Sequence, residues 1–351
     1  MGETCFRKRW LCILCACFVA AAFLFAAAPA ALAKDKVHEW NFSLWGGKRA
    51  WSAPLHDWVA DMEKFTNGKW KIKLHYGGVL SPPKENYDGI KAGMFEAAGI
   101  CCAYQPGKNP LHTVSELPFI APTKNVDIIK MMKTLWKHPA LKKELLKWNA
   151  VPLLPSALCQ YHIMGNKPVR TVEDLKGYRV RIGGEIAKVL EKFGAVPTLV
   201  PAPEVYEAVS RGTIDGVGFP YTYGYGSFKT FEVTKYLTTP MSLGTMSCIY
   251  IASKDAWDAL PEAWKKYHME YWYEKAPEIW AAEFQKADDK WEPLFKKNLE
   301  FIEFPNAERQ RLVKKAEEVY EKWVKAREKE GLPGREVLNY YLEERKKLIG
   351  R

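Results

Sequence analysis

The sequence predicts an α/β protein with two lobes, because strand-like and helix-like segments alternate in two successive units and a mainly helical stretch follows them. The first unit runs from "EWNFSLW" to "AAGICCAY", and the second from "VPLLPSALCQYHIMGN" to "IDGVGFPY". Such alternation favours largely parallel sheets covered by helices. From Asp255 onward the pattern is mainly helical. We therefore expect two α/β lobes crossed by long return helices.

The first unit has the order strand, helix, strand, helix, strand. Its first helical segment, "SAPLHDWVADMEKFTNG", has apolar side chains at helical spacing and stops at an Asn-Gly pair. The next segment, "KWKIKLHY", alternates polar and apolar residues as a strand does. A helix is predicted for "KENYDGIKAGMFE" and a buried strand for "AAGICCAY".

The second unit repeats the alternation. We predict a strand at "YRVRIGG", which ends in two glycines, and a helix at "EIAKVLEKFG", which stops at Gly194. A strand at "VPTLVPA" and a helix at "PEVYEAVSRG" come next, before the strand at "IDGVGFPY". Ligands of α/β folds bind outside the carboxyl ends of the strands, so the cleft between the lobes is the expected binding site.

The C-terminal third is predicted to form long helices, one of them over about Ala307 to Glu330. These segments are rich in Trp and Tyr. Aromatic stripes at helical spacing are typical of a packed core.

A secretory signal peptide is predicted for residues 1 to 33. A positive cluster, "RKR", precedes an apolar run from Trp10 to Ala31, and "ALA" supplies a small-x-small cleavage site. The alternative is a membrane anchor, since the run is long enough for a marginal span. The Ala-rich end and Pro29 favour cleavage, so we expect a soluble protein of the periplasm.

The formal net charge of +11 indicates a field that favours anionic ligands. Basic residues interleave with acidic ones, as in "KKAEEVYEKWVKAREKE", which is typical of a solvated helix face. We therefore expect no nucleic-acid partner.

The cysteines predict no disulfide framework. Eight are present, half of them within the predicted signal. The periplasm permits disulfides, but the spacing dictates none, and adjacent cysteines rarely bond because the ring is strained. The segment from Cys159 to His162 resembles half a metal site without a second half. Buried free thiols are favoured at the remaining positions: Cys101, Cys102, Cys159 and Cys248.

The chain has no motif that indicates catalysis. It lacks G-x-S-x-G, H-E-x-x-H and a Gly-rich phosphate loop, and no spacing assembles a triad or a metal site. The sequence therefore predicts neither an enzyme, nor a cofactor, nor a metal centre.

Four segments of the chain carry a family resemblance. They are "NGKWKIKLHYGGVLSPPKENYDGIKAG", "ELPFI", "DLKGYRVRIGGEIAKVLEKFGAVPTLVPAPEVYEAVSRGTIDGV" and "YIASKDAWDALPEAWKK". With them, the chain resembles the DctP-type solute receptors of tripartite ATP-independent periplasmic (TRAP) transporters. The third segment is the most specific, through its order of D-L-K-G, a strand with Arg, F-G-A-x-P, E-V-Y and G-x-I-D-G.

The resemblance implies a fold and a role. The fold is that of a two-lobed periplasmic binding protein, type II-like, with a long helix spanning both lobes. The role is that of a receptor for an ion-driven permease built of a small and a large integral-membrane subunit. We expect a monomer. The alternatives are a receptor for an ATP-driven importer and a non-transport envelope protein on the same scaffold.

The expected lobes are discontinuous in sequence. Lobe I comprises residues 34 to 158 plus about 247 to 288. Lobe II comprises residues 159 to 246 plus about 289 to 351.

Arg181 is the first candidate site residue. It ends the predicted strand just before Gly183 and Gly184 open a helix, and a guanidinium there can bind a carboxylate through two parallel hydrogen bonds. By position alone, a structural arginine paired with an acidic residue is an equal alternative. The resemblance aligns Arg181 with the carboxylate-binding arginine of the family.

At the other aligned positions, aromatic or soft side chains replace the family's polar ones. Trp45 and Phe219 stand where Asn is usual, Tyr161 where a second Arg is frequent, and Cys101 or Cys102 where Glu is frequent. Tyr221 and Tyr223 follow as further aromatic candidates, and Lys48 and Arg49 as candidates for a second anion contact.

These exchanges predict one small organic anion with an aromatic or short, modestly polar body. A sugar acid has many hydroxyls, and each buried polar group without a partner is costly. The candidates are aryl or indolyl carboxylates and a small hydroxyalkane sulfonate such as isethionate, because Arg suits both carboxylates and sulfonates.

Overall fold

The computed structural model describes residues 36 to 350, and the predicted signal at residues 1 to 33 lies outside them. Helices and strands alternate from the start of this range. The strands are β1 (His38–Ser43), β2 (Trp70–His75), β3 (Ala97–Cys101), β4 (Ala150–Leu154), β5 (Tyr161–Gly165), β6 (Arg179–Arg181), β7 (Val196–Thr198), β8 (Gly216–Pro220), β9 (Tyr236–Thr239), β10 (Cys248–Ser253) and β11 (Glu300–Glu303).

The α-helices lie between and after these strands. They are α1 (Pro54–Phe65), α2 (Asn86–Lys91), α3 (Asn125–Leu135), α4 (Pro139–Leu146), α5 (Ile186–Glu191), α6 (Val205–Ser210), α7 (Tyr223–Ser227), α8 (Lys254–Asp258), α9 (Glu262–His268), α10 (Ala276–Asn298), α11 (Asn306–Lys329) and α12 (Gly334–Ile349). Within residues 36 to 350, none of the helices is both long enough and apolar enough to span a bilayer.

The described residues form two sheets. The first has the strand order β2-β1-β3-β10-β4, and the second β11-β9-β5-β8-β6-β7. The expected α/β class is confirmed. Both sheets are mixed and not largely parallel, because β10 runs antiparallel to β3 and β4, and β5 runs antiparallel to β8 and β9. In each sheet the antiparallel strand lies next to a point where the chain crosses between the halves.

Local chemistry accounts for the first helix. Leu55, Trp58 and Met62 of α1 recur at helical spacing, and all three are buried against the sheet. Pro54 occupies the first turn, where its missing N–H costs nothing. The chain leaves the helix through Asn67 and Gly68, which both have positive φ, the conformation that the predicted Asn-Gly stop requires.

The segment "VPLLPSALCQYHIMGN", with which the second predicted unit begins, does not belong to the second half alone. It divides into β4 in the first sheet and β5 in the second, and residues 155 to 160 cross between the halves. Pro155 follows the last residue of β4 and has no N–H to continue a ladder. A second crossing, residues 240 to 247, returns the chain to β10. The two crossings are bonded to each other, since the amide of Leu158 donates to the carbonyl of Met246 at 3.3 Å.

Helix α10 joins the two halves. Trp280 near its start donates to the carbonyl of Trp51 in the first half, at 2.7 Å, and Phe295 near its end packs on Tyr225 and Phe231 of the second. The predicted helix across both lobes is therefore present. The last helix, α12, lies against α3 beside the first sheet while α11 lies against α5 beside the second. The lobe limits in this C-terminal stretch therefore remain a prediction.

Candidate ligand-binding site

A small cavity lies where the two halves meet. The volume open to the centre of a water molecule is about 20 Å³, so the cavity admits water, and anything larger requires its walls to separate. The first half and the crossings contribute Trp45, Arg49, Cys101, Tyr104, Leu158 and Met246, and the second half contributes Tyr161, Arg181, Ala202, Phe219, Pro220, Tyr223 and Phe228.

Sheet topology explains this convergence. Trp45 follows β1, Cys101 ends β3, Arg181 ends β6, and Phe219 is the penultimate residue of β8. The carboxyl ends of these strands face the cleft, as expected for α/β folds. Tyr161 starts β5 and reaches the same edge because β5 is antiparallel to β8, with its Cα opposite that of Pro220.

Arg181 is almost completely buried, with 2% of its surface exposed. Its Nε donates to the carbonyl of Val200 at 2.8 Å, which fixes the guanidinium plane. The terminal nitrogens have only long contacts, Nη1 to the Gly218 carbonyl at 3.4 Å and Nη2 to the Tyr104 hydroxyl at 3.3 Å. The guanidinium carbon lies 4.7 Å from the centre of the Phe219 ring.

No carboxylate of the described residues lies within ion-pair distance of Arg181. The contrast is with Arg179 on the same strand, whose Nη2 lies 2.8 Å from Asp215. A buried positive charge without a counter-charge is costly. The fork of Nη1 and Nη2 therefore favours an anion that enters the cavity.

Arg49 supplies a second buried guanidinium from the first half. Its Nη1 donates to the carbonyls of Trp45 and Gly47 at 3.0 and 2.9 Å, while Nη2 is buried without a hydrogen-bond partner. The guanidinium carbon stacks 4.2 Å from the Trp45 ring centre and 4.8 Å from that of Trp51. Arg49 also has no carboxylate in ion-pair distance among the residues described.

Trp45 carries another unpaired donor. Its Nε1 is buried without a partner, and its ring meets Tyr104 edge-on at a centroid distance of 5.5 Å. Buried donors are nearly always paired, so an unpaired one beside a cavity indicates a ligand acceptor. Nε1 of Trp45 and Nη2 of Arg49 are two unpaired donors on cavity-lining residues, and we call them the second donor group, in addition to Arg181.

The remaining wall is aromatic and neutral. Tyr223 stacks on Phe284 of α10 with ring centres 5.2 Å apart and planes 11° apart. Burial raises the pKa of Tyr161 and Tyr223 well above the usual range, so both phenols keep their protons. Burial also raises the pKa of Tyr104 to about 12, against the opposing effect of the Arg181 charge.

Some predicted site residues lie outside the cavity. Lys48 is exposed and borders a separate surface groove beside Lys286 and Lys290. Tyr221 is half-buried and lies edge-on to His162, at a centroid distance of 5.2 Å. Among the residues described, neither side chain lines the cavity.

Cys101 lines the cavity, whereas Cys102 is buried behind it and donates its amide to the carbonyl of Ser247 at 2.8 Å. The four cysteines within residues 36 to 350 are buried and free. His162, of the Cys159 to His162 segment, accepts the amide of Met241 on Nδ1 at 3.0 Å, and burial lowers its pKa to about 3. It is therefore neutral and structural.

Residues 45 to 326 match the DctP family of bacterial extracellular solute-binding proteins, family 7. The chain belongs to this family. The matched range includes all the cavity residues named above.

Curated relatives of this DctP-family chain include periplasmic binding proteins. A monocarboxylate 2-oxoacid-binding periplasmic protein of Nostoc is 28% identical over 165 residues, which are 45% of this chain and 42% of that protein. The C4-dicarboxylate-binding periplasmic protein DctP of Rhodobacter capsulatus is 28% identical over 207 residues, 57% of this chain and 60% of that protein. The chain spans about half the length of the curated relatives it matches.

Solved structures agree over nearly the whole chain. A TRAP solute-binding protein of Rhodoferax ferrireducens, in complex with copurified benzoate, superposes with a TM-score of 0.78 at 22% identity, over 88% of this chain and 98% of that one. A TRAP periplasmic protein of Bordetella bronchiseptica, with bound (R)- and (S)-mandelate, gives 0.77 at 25% identity, over 88% and 99%. The two-lobed fold is thereby confirmed.

Sequence reasoning missed several cavity residues of this family member. Cys101 ends β3, and Tyr104 lies three residues beyond it. The rule that ligands bind outside the carboxyl ends of the strands would therefore have found Tyr104 as well. Phe228 follows the short helix α7 in "YTYGYGSF", within reach of the aromatic candidates already considered. Leu158 and Met246 belong to the crossings and carried no chemical signal.

Proposed function

We propose that the protein is a periplasmic solute receptor of a TRAP transporter, which captures one small organic acid between its lobes. It then delivers the acid to an ion-driven permease with a small and a large membrane subunit. The observation that carries this proposal is Arg181, a buried guanidinium without a carboxylate partner among the described residues, at the meeting of the two halves.

The geometry of Arg181 suits end-on recognition of a carboxylate. The bond from Nε to Val200 is short and holds the plane, whereas the long contacts of Nη1 and Nη2 are readily exchanged for an anion. Two parallel charge-assisted hydrogen bonds form between such a fork and a carboxylate. The Phe219 ring covers one face of the guanidinium and excludes water from it.

The second donor group and the aromatic wall determine which chemical groups the rest of the ligand can carry. Nη2 of Arg49 and Nε1 of Trp45 suit a hydroxyl, carbonyl or further anionic oxygen. Tyr161, Phe219 and Tyr223 suit a ring or a short apolar body. We therefore favour an aryl or indolyl carboxylate with one more acceptor, and keep isethionate as the second candidate. The bound benzoate and mandelate of the structural relatives support this class.

A polyhydroxylated sugar acid fits this wall poorly. Each of its hydroxyls would need a partner once water is excluded, and an unmet buried hydroxyl costs about 1–3 kcal/mol. Two or three such losses together cost about 2–9 kcal/mol, against the about 8 kcal/mol of micromolar binding.

Calorimetry with matched acids tests the proposal. The panel contains benzoate, mandelate, indole-3-acetate, isethionate and a hexuronate, and mass spectrometry of ligand released from the purified protein extends it. We expect micromolar or tighter binding by at least one aryl or indolyl acid or by isethionate, and none by the hexuronate. Tight binding of the hexuronate alone would overturn the ligand class, and binding of no organic acid would favour a non-transport envelope protein.

A further inference from the structure

Cys101 and Cys248 lie directly opposite each other across the antiparallel pair of β3 and β10. Two backbone hydrogen bonds show whether this is a hydrogen-bonded or a non-hydrogen-bonded position of the antiparallel pair. The amide of Cys102 donates to the carbonyl of Ser247, so those two residues form a hydrogen-bonded pair, and the amide of Cys248 donates to Met246 instead of to Cys101. Cys101 and Cys248 are therefore a non-hydrogen-bonded pair.

Such a pair has the dimensions of a disulfide. Opposite Cα atoms at non-hydrogen-bonded positions are about 4.5 Å apart and their side chains point to the same face. Disulfides span Cα distances of roughly 4.4–6.8 Å. No comparable pairing exists for Cys159 among the described residues.

We propose that Cys101 and Cys248 are a redox site that forms a cross-strand disulfide at the wall of the ligand cavity. The oxidant is a disulfide, either a protein disulfide donor of the exporting compartment or a small disulfide such as oxidised glutathione. One thiolate attacks the donor and releases a thiol, and the second thiolate then displaces the other donor sulfur. Two protein thiols become one disulfide, and one donor disulfide becomes two thiols.

Access to the pair passes through the ligand cavity. Cys101 lines that cavity and is 2% exposed, while Cys248 is fully buried behind it. Burial raises the pKa of the Cys248 thiol well above its usual range, which keeps the thiolate scarce while the halves are in contact. Exchange therefore proceeds when the lobes separate. The thiolate of the wall residue Cys101 attacks the donor disulfide first, and the thiolate of Cys248 then attacks the Cys101 sulfur of the mixed disulfide.

The bond would also secure the second crossing of the chain. Cys248 is the first residue of β10, directly after residues 240 to 247. A disulfide there ties the end of this crossing to the centre of the first sheet. It also removes a thiol from the cavity wall.

Peptide mapping of the purified protein tests this. The protein is equilibrated with oxidised glutathione in excess, its free thiols are blocked with N-ethylmaleimide after denaturation, and it is digested with trypsin without reductant. We expect most of the protein to yield a cross-link between the peptides 92–108 and 236–254, which disappears with dithiothreitol. Fragmentation of the linked pair should assign the bond to Cys101 and Cys248.

Matched variants test whether a neighbouring thiol, and not Cys101, forms the cross-link. Cys102→Ala and Cys159→Ala should keep the cross-link, and Cys101→Ala should lose it. Full maleimide labelling of both wild-type thiols after prolonged oxidation would overturn the proposal, as would a bond that joins Cys102 to Cys248. The wild-type measurement decides the matter even if a variant fails to fold.

Discussion

At the scale of single side chains, Arg49 and Arg181 differ from the other basic residues because both are buried without a carboxylate partner among the described residues. Arg179 and Arg181 are two residues apart on β6, yet Arg179 is half-exposed and paired with Asp215. Arg181 has carbonyl and hydroxyl partners only. The proposed carboxylate ligand would supply the missing counter-charge in a region of low dielectric, where a paired charge is strongly favoured over an unpaired one.

Replacing Arg181 should therefore reduce ligand affinity. Arg181→Lys keeps the charge and loses the fork, so we expect the Kd to rise at least about tenfold, or about 1.4 kcal/mol. Arg181→Ala should cost more. Calorimetry with the ligand found in the panel measures both.

Arg179→Lys is the matched control, since it changes the same residue type on the same strand outside the cavity. It should bind as the wild type does. Wild-type affinity in both Arg181 variants would remove this residue from the site.

At the scale of elements, the turn after β6 brings the two halves into contact. Gly184 has φ +66°, and a Cβ added to it would lie 2.5 Å from Oε2 of Glu116 in the first half. Glu116 is fully buried and held by the amide of Ser247, which donates to Oε1 at 3.1 Å. Burial raises its pKa well above the usual range, which favours the neutral form of the carboxyl.

Gly184→Ala should weaken ligand binding by opposing closure. The added Cβ crowds a fixed carboxyl across the interface, and such overpacking costs about 1–3 kcal/mol. We expect the Kd to rise about fivefold or more, measured by calorimetry.

Gly177→Ala separates this effect from backbone strain. Gly177 has a similar φ of +70°, but no atom lies within 4 Å of its Cβ position. Both variants should lose comparable stability in urea unfolding, and only Gly184→Ala should lose affinity. Equal losses of affinity would attribute the effect to the backbone alone.

At the scale of the whole molecule, the cavity walls come from both halves and enclose little space. Entry of an organic acid requires the halves to separate, and its retention requires them to close. The crossings at residues 155–160 and 240–247 lie side by side and are bonded to each other, so we expect the hinge at these crossings. Helix α10 contacts both halves.

Ligand should therefore compact the protein. Small-angle scattering at saturating ligand should give a smaller radius of gyration than scattering without ligand. Arg181→Ala at the same ligand concentration should remain expanded. An unchanged radius in the wild type at saturation would indicate that the site is closed before the ligand arrives.

The sequence by itself determined the α/β class, the ends of α1 and the place of Arg181 at a strand end. These features depend on local rules, namely apolar periodicity, turn residues and strand polarity. The aromatic character predicted for the wall came through the family resemblance, which aligns Trp45, Tyr161 and Phe219 with polar positions of the family.

Only the tertiary structure decided which neighbouring side chains meet. Lys48 and Arg49 are equivalent by position, yet the loop after β1 turns Arg49 onto Trp45 and leaves Lys48 in solvent. Tyr104 contacts Arg181 across 77 residues of sequence, and Cys101 opposes Cys248 only through the antiparallel return of β10. Such contacts depend on loop conformation and strand register, which are set by packing between distant segments and not by local periodicity.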